Sequence, residues 1–333
     1  MKICVFGAGA VGGHIAAKLA AAGNDVSVVA RGAHLSAMQA KGLTLLHGSD
    51  TIRGNVRGSA RASDLGRQDA VFVTLKANLL EVFADAAAPL LGPDTAVVFA
   101  QNGIPWWYGI ALAPSRPKPP DLSRLDPGGK LKALVKAQNI LGGVIYSANE
   151  IVEPGVIRNH VPGNNMLVIG EADDQQTSRI GTLRSLLEKA GMSSPATSDI
   201  RAAVWGKLTQ NLGTSTLCLL TGGTVGDVRR DPEVDKLAKK AGDETRAIAK
   251  AHGIAIEAAP ERPSGGHSSG MIGHKPSMLQ DYERGRPLEV DSQLVMPLEF
   301  ARVAAVAAPT LETLVPLCVY KATRRAPASP SPA

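Results

Sequence analysis

The sequence has little cysteine and no long apolar run. Its three cysteines, Cys4, Cys218 and Cys318, are odd in number and far apart, with no C-x-x-C pair and no histidines at metal-ligand spacing. This pattern argues against a disulfide framework and a bound metal, and it is typical of a reducing compartment. No apolar run approaches membrane-spanning length, and no charged segment with a hydrophobic core precedes the first strand. We therefore expect a cytoplasmic protein with no membrane partner.

Aromatic residues are also scarce, at 4% of the 333 residues, although the chain is basic, with 36 Lys and Arg against 30 Asp and Glu. The basic residues are scattered, and no nucleic-acid-binding motif is present, so the positive charge favours anionic small molecules over nucleic acid. With 44% hydrophobic residues, the chain can bury substantial cores, and its length predicts two domains.

The first dozen residues carry a glycine motif between an apolar run at 3–6 and a stretch of helix formers at 10–22. In this context the spacing G-x-G-x-x-G predicts a strand, a tight turn at Gly7, a backbone that a pyrophosphate can approach at Gly9, and close helix packing at Gly12. The pattern predicts dinucleotide binding, and the alternative is an incidental glycine-rich turn. The predicted cofactor contacts in the loop are Gly7, Ala8, Gly9, Ala10, Val11 and Gly12.

The second predicted strand, residues 26–30, ends without an acidic residue. Ala30 and Arg31 stand where an NAD-binding protein usually carries a carboxylate for the ribose 2′-hydroxyl. Nothing there repels a 2′-phosphate, and the arginine offers a planar fork of donors to it. Arg31 therefore favours NADPH, and the alternative is a solvated surface arginine.

Polar residues follow two later apolar runs, Lys76 after residues 69–75 and Asn102 after residues 95–100. Because ligands bind at the carboxyl ends of strands in an open α/β sheet, both residues are candidates for cofactor or substrate contacts, or else they cap loops.

Residues 47–68 are polar and glycine-rich. Residues 140–146, 155–160 and 166–169 predict an antiparallel extension of the sheet. Residues 105–139 predict a surface insertion, with a variable loop favoured over a lid or dimer contact.

Strand patterns do not return after Ser198, where Ser198 and Asp199 predict the N-cap of a helix. Lys207 and Asn211 are four residues apart and share one helix face, as a desolvated catalytic pair or as a solvated edge. The chain is thus predicted to be α/β. Residues 1–197 would form an N-terminal Rossmann-type doubly wound sheet, residues 198–325 a C-terminal all-helical domain, and residues 326–333 a disordered tail.

Several segments together carry a family resemblance: S-M-L-Q-D at 277–281, L-E-V-D at 288–291, W-G-K-L-T-Q-N at 205–211, Q-N-G at 101–103 and the glycine motif. With the arginine after the second strand, they resemble the ketopantoate reductase family over nearly the whole chain. The resemblance implies reduction of 2-dehydropantoate to pantoate with NADPH, in pantothenate biosynthesis. It implies catalytic roles for Lys207, as proton donor, and Glu289, which would accept a hydrogen bond from a substrate hydroxyl.

The resemblance also implies binding roles. The substrate contacts would be Asn211, Ser215, Ser277 and Asn102, and the cofactor contacts outside the glycine loop would be Arg31, Lys76, Asn102 and Glu289. Ser215 departs from the family, whose members often have asparagine there. An enzyme for another 2-oxo or 3-oxo acid therefore stays open, as does a non-catalytic NADP-binding regulator. The expected partner is a small 2-oxo acid, and a homodimer stays open. His267 and His274 are interpreted as loop residues rather than ligands.

Overall fold

The computed structural model describes residues 1–256 and 273–324. Its main sheet contains seven strands: β1 (Lys2–Phe6), β2 (Asp25–Val29), β5 (Arg57–Ser59), β6 (Ala70–Val73), β7 (Ala96–Phe99), β8 (Ile140–Tyr146) and β11 (Met166–Glu171). They lie in the order β11-β8-β7-β6-β1-β2-β5, all parallel except β11, which pairs antiparallel with β8. The strand order reverses at β1, which has β2 on one side and β6 on the other. The predicted doubly wound sheet is confirmed, and its switch point lies beside the glycine motif.

A second sheet contains four strands: β3 (Leu43–His47), β4 (Asp50–Gly54), β9 (Asn149–Glu153) and β10 (Val156–Asn159). The prediction that residues 155–160 extend the main sheet is therefore wrong, because β10 pairs with β3 instead. The polar stretch 47–68 also holds β4 and β5, which its composition does not reveal. Of the three runs predicted to extend the main sheet, only the last supplies an antiparallel strand, since β8 is parallel to β7.

Helix α1 (Ala10–Ala21) lies between the two sheets. A Cβ added at Gly13 would lie 2.9 Å from the Ile157 side chain, and one at Gly54 would lie 3.0 Å from the Ala17 Cα. Both distances concern the second sheet; toward the main sheet, a Cβ added at Gly12 would lie 3.0 Å from the Val5 side chain, so small residues are required on both faces of α1. This explains why α1 is rich in alanine and glycine and lacks a strongly polar face.

The remaining helices are mostly in the second half of the chain: α2 (Gly32–Lys41), α3 (Leu80–Ala86), α4 (Lys130–Leu134), α5 (Ser178–Lys189), α6 (Ile200–Gln210), α7 (Thr216–Thr221), α8 (Val225–Arg230), α9 (Pro232–Ala251), α10 (Ser277–Glu283), α11 (Met296–Val303) and α12 (Pro309–Thr323). The predicted N-cap is confirmed, since the Asp199 carboxylate accepts from the amides of Arg201 and Ala202. Beyond β11, the described residues form no further strand of either sheet. The boundary at 197/198 stays a prediction.

Two short π-helical segments, Asn211–Ser215 and Asp291–Val295, interrupt this helical region. The first joins α6 to α7, and the second leads into α11. Such π-bulges occur frequently at functional sites.

The predicted surface insertion is only partly outside the core. Trp107 and Tyr108 are buried, and the fully buried Arg201 donates to the Tyr108 carbonyl at 2.9 Å. The Trp205 indole N–H donates to the Tyr108 hydroxyl at 2.8 Å. Residues 105–110 therefore hold α6 against the main sheet, and the prediction that residues 105–139 form a surface insertion is wrong for this part.

The three cysteines are buried free thiols. Within the described residues, no helix is both long and apolar enough to cross a membrane. His267 and the tail predicted to be disordered, residues 326–333, lie outside the described residues. His274 is described, and its carbonyl accepts from the Val225 amide.

Candidate active site

A cavity of about 590 Å³ extends from the glycine loop to Glu289. The carboxyl ends of β1, β6 and β7 lie along its wall. Its lining includes ten of the residues predicted from sequence: Gly7, Ala8, Gly9, Ala10, Val11, Arg31, Lys76, Asn102, Ser277 and Glu289. Four others, Gly12, Lys207, Asn211 and Ser215, do not form part of that wall. The described residues contain no group of three or more His, Cys, Asp or Glu side chains that could hold a metal ion.

The glycine loop has the geometry that a dinucleotide requires. Gly7 has a φ of +97°, and a Cβ at Gly12 would lie 2.3 Å from Thr74 Oγ1, so neither position accepts a side chain. At Gly9, by contrast, the nearest atom to an added Cβ is 4.0 Å away, which leaves the backbone open to a ligand. Helix α1 begins there without a side-chain cap or an acidic residue in its first turn. Its free N–H groups and dipole therefore favour a phosphate. Gly12 serves packing behind the wall.

Two side chains that the motif does not reveal hold this loop. Thr74 Oγ1 donates to the Gly7 carbonyl at 2.7 Å, and His34 Nε2 lies 2.8 Å from the Ala8 carbonyl. Because the Gly155 amide donates to His34 Nδ1 at 2.9 Å, the ring hydrogen must be on Nε2, which donates to Ala8. Burial lowers the pKa of His34, which favours this neutral form. His34 thus connects the glycine loop to the second sheet.

Arg31 lies at the cavity wall, exposed, at the N-cap of α2. No ion pair within residues 1–256 and 273–324 involves its guanidinium. Lys76, on the same wall, pairs with Asp281 at 2.7 Å. The cavity therefore presents one arginine with its donors available and one lysine already held by a carboxylate.

Two residues of the cavity lining, Gln101 and Asn102, each have a buried acceptor atom without a partner. Gln101 Nε2 donates to the Val73 carbonyl at 2.7 Å, which leaves Gln101 Oε1 buried without a partner, and Asn102 Oδ1 is likewise unpartnered. Buried polar atoms are normally satisfied, so two such atoms on one cavity wall fit a ligand that carries hydrogen-bond donors. A nicotinamide dinucleotide has donors of this kind.

Glu289 closes the other end of the cavity. It is 8% exposed, and its Oε1 accepts from the Ala77 amide at 2.8 Å while its Oε2 accepts from Gln293 Nε2 at 2.9 Å. Burial raises the pKa of Glu289, and these two donors and the charge of Lys76 oppose that rise. A carboxylate held in this way can accept a further hydrogen bond from a ligand.

Lys207 lies next to this wall. Its ammonium donates to the Ile145 carbonyl, a residue of the cavity lining, and sits over the Tyr146 ring at 5.2 Å. Burial lowers the pKa of Lys207 to about 8, and attraction to Glu289 opposes the shift. Lys207 is therefore desolvated and not a solvated edge, whereas its predicted catalytic pairing with Asn211 stays a prediction. A lysine with this pKa can both carry and release a proton near neutral pH.

The π-helical segments bring two more side chains together. Asn211 Nδ2 donates to Gln293 Oε1 at 3.2 Å, so Asn211 is linked through Gln293 to Glu289. Ser215, on the same segment as Asn211, is 8% exposed and lies away from the cavity wall. Hydrogen bonds therefore link Asn211 to Glu289 through Gln293, and electrostatic attraction links Lys207 to Glu289, whereas Ser215 is not part of the cavity wall.

A glycine loop at the switch point, one cavity that runs from it to a buried carboxylate, and a lysine of lowered pKa next to that cavity together define an oxidoreductase that uses a nicotinamide dinucleotide. The profile described as "Ketopantoate reductase PanE/ApbA" matches residues 3–110, and that of its C-terminal part matches residues 199–319. A curated 2-dehydropantoate 2-reductase from Mesorhizobium japonicum is 40% identical over 98% of this chain and 99% of its own. The chain belongs to the ketopantoate reductase family.

Solved structures agree with this assignment. A candidate ketopantoate reductase from Ralstonia solanacearum MolK2 is 35% identical, with a TM-score of 0.83 over 97% of this chain and 98% of that one. A 2-dehydropantoate 2-reductase from Geobacter metallireducens GS-15 is 26% identical, with a TM-score of 0.78 over 96% and 99%. The predicted family and fold are thus confirmed.

Proposed function

We propose that the protein reduces 2-dehydropantoate to pantoate with NADPH, a step of pantothenate biosynthesis. The observation that carries this proposal is the single cavity that joins the glycine loop to Glu289, with Lys207 electrostatically coupled to that carboxylate. The names of the similar proteins support the same substrate.

The preference for NADPH rests on Arg31. It lies on the wall beside the end of β2, where an acidic residue would repel a 2′-phosphate, and the neighbouring Ala30 is apolar. Hydrogen bonds from a guanidinium to a phosphate are charge-assisted and stronger than neutral ones. The glycine loop and the free amides at the start of α1 would hold the pyrophosphate.

The nicotinamide, when bound, supplies the hydride that reduces the carbonyl carbon. The chain must then supply a proton to the carbonyl oxygen, which yields a 2-hydroxy acid. Lys207 is the proton donor in this proposal, because its lowered pKa of about 8 keeps the ammonium charged near neutral pH yet acidic enough to release a proton. Its contact with the Ile145 carbonyl fixes the position of the ammonium beside the wall.

Glu289 selects the substrate in this proposal. Each of its oxygens accepts one hydrogen bond from the protein, which leaves lone pairs for the hydroxyl that 2-dehydropantoate has and simple 2-oxo acids lack. Ser277 and Asn102, on the same wall, would contact the rest of the substrate. The protein thus contributes alignment, a proton and recognition of the hydroxyl.

The direct test is to measure NADPH oxidation by the purified chain with 2-dehydropantoate, 2-oxoisovalerate and a 3-oxo acid. The proposal predicts saturable turnover with 2-dehydropantoate that exceeds turnover with the other acids. Faster turnover of another oxo acid would favour the alternative, a reductase for another 2-oxo or 3-oxo acid. Tight NADPH binding without any turnover would indicate a regulator.

A further inference from the structure

Gln293 is a buried amide, 3% exposed, that lies between two residues of the proposed site. Its Nε2 donates to Glu289 Oε2 at 2.9 Å, and its Oε1 accepts from Asn211 Nδ2 at 3.2 Å. Gln293 lies outside the cavity wall, and its hydrogen bonds go to Glu289, which is part of that wall, and to Asn211, which is not.

The direction of these hydrogen bonds follows from chemistry. An ionised carboxylate only accepts hydrogen bonds, so Gln293 must turn its NH₂ group toward Glu289 and its carbonyl toward Asn211. Asn211 must then turn its own NH₂ group toward Gln293. The Asn211 carbonyl oxygen is thereby left as an acceptor, one helical turn from Lys207. One glutamine therefore determines the orientation of both polar groups.

We propose that Gln293 is a positioning residue that determines substrate selectivity, by holding the Glu289 carboxylate toward the substrate hydroxyl and fixing the orientation of the Asn211 amide. This inference rests on the proposed function, because it requires Glu289 to accept that hydroxyl. It adds a residue whose side chain no sequence motif identifies.

The charged groups around Glu289 determine what loss of Gln293 would do. Lys76 lowers the pKa of Glu289, Asp281 raises it, and the Lys207 ammonium interacts with it from α6. Without Gln293, the Ala77 amide would be the one remaining donor to this carboxylate among residues 1–256 and 273–324. The protonated form would then be favoured, and the side chain would have more freedom to turn away.

The first variant is Gln293→Leu, which removes both hydrogen bonds at similar volume. We expect kcat/KM for 2-dehydropantoate to fall on the order of tenfold to a hundredfold, the range for a hydrogen bond to a charged group, and kcat/KM for 2-oxoisovalerate to fall less. The acid limb of the pH profile for 2-dehydropantoate should move to higher pH. Ser292→Ala is the matched control, since it removes an adjacent buried hydroxyl that contacts only the main-chain carbonyl of Glu289, at 3.5 Å, and leaves the carboxylate contacts in place.

The second variant, Gln293→Glu, keeps the shape of the side chain and makes its donor dependent on pH. At low pH the new carboxyl group donates an O–H to Glu289 in place of the amide. At higher pH the two carboxylates repel each other. The preference for 2-dehydropantoate over 2-oxoisovalerate should therefore decline as pH rises, whereas in Gln293→Leu it should be low throughout.

The ratio of kcat/KM for the two oxo acids separates positioning from a merely structural role, because general destabilisation lowers both values together. An unchanged ratio in a folded Gln293→Leu protein would overturn the inference. Should that variant not fold, a ratio for Gln293→Glu that does not vary with pH overturns it instead. If wild type does not reduce 2-dehydropantoate, the proposed function fails and this inference fails with it, whereas normal wild-type turnover with an unchanged ratio refutes the role of Gln293 alone.

Discussion

Replacing Lys207 by methionine should inactivate the protein and stabilise it at the same time. The pKa of Lys207 falls from 10.5 to about 8, mainly because burial disfavours the ammonium. A shift of roughly 2.5 pH units corresponds to about 3 kcal/mol of folding free energy that the ammonium costs at pH 7. Methionine has a similar length and no charge, so Lys207→Met should recover about that amount.

The stability gained by Lys207→Met depends on pH, because the folded and unfolded chains release the Lys207 proton at different pH values. Between pH 8 and 10.5 the unfolded chain holds the Lys207 proton and the folded chain does not, so wild-type stability rises with pH in this range. The difference between Lys207→Met and wild type should therefore shrink from about 3 kcal/mol at pH 7 to about 1 kcal/mol at pH 10.

Denaturant unfolding at the two pH values measures the stability, and turnover of NADPH with 2-dehydropantoate measures the activity. Lys207→Met should lose about a hundredfold to ten-thousandfold in kcat, the range for general acid catalysis, with little change in NADPH affinity. Lys239→Met is the control, because Lys239 is exposed and pairs with Asp235 on the surface of α9. Its stability should stay within about 0.5 kcal/mol of wild type.

The reasoning is refuted if Lys207→Met retains near-normal turnover, because lysine is then not the proton donor. It is also refuted if the variant is no more stable than wild type at pH 7, because the ammonium is then not desolvated. The two outcomes are independent, so the assay distinguishes an error about chemistry from an error about burial.

Three further predictions follow from contacts elsewhere. Arg31→Ala should weaken NADPH binding by about 1.5–3 kcal/mol and leave NADH binding nearly unchanged, as measured by titration of both cofactors; equal losses for both would contradict the role of Arg31. Gly103→Ala should destabilise by about 2–4 kcal/mol in denaturant unfolding, because Gly103 has a φ of +85° and an added Cβ would lie 2.5 Å from the Ser292 carbonyl; a change under 1 kcal/mol would contradict this. Burial lowers the pKa of His14 from 6.5 to about 3, so wild type should lose about 2 kcal/mol of stability between pH 8 and pH 5 that His14→Leu does not lose, and parallel pH curves would refute it.

The sequence reveals those parts of the molecule that depend on local patterns. The glycine loop is recognisable because its strand, turn and helix are contiguous, and each glycine has a separate steric reason. The N-cap at Asp199 is equally local. The roles of Lys207 and Glu289 come from the family motifs. Nothing in the sequence next to Lys207 shows that its ammonium contacts Ile145 and Tyr146 of β8.

The parts that sequence reasoning missed depend on contacts between distant segments. The second sheet pairs β3 with β10, more than a hundred residues apart, and no short-range pattern indicates which strands pair. Gln293 contacts Asn211 across 82 residues. A signal for Gln293 did exist, since it lies four residues after Glu289 and a helix there brings both side chains to one face. No sequence pattern indicates that Tyr108 is buried, because a proline-rich stretch typical of a surface loop follows it directly.

The selectivity of Glu289 tests the central claim most directly. The measurement is kcat/KM for 2-dehydropantoate and for 2-oxoisovalerate, with NADPH, in wild type and Glu289→Ala. Because the buried carboxylate is left short of a partner by a substrate without the hydroxyl, wild type should prefer 2-dehydropantoate by roughly a hundredfold or more. The variant should lose most of that preference. A wild type that shows no preference, or a Glu289→Ala protein that keeps the full preference, would contradict the account.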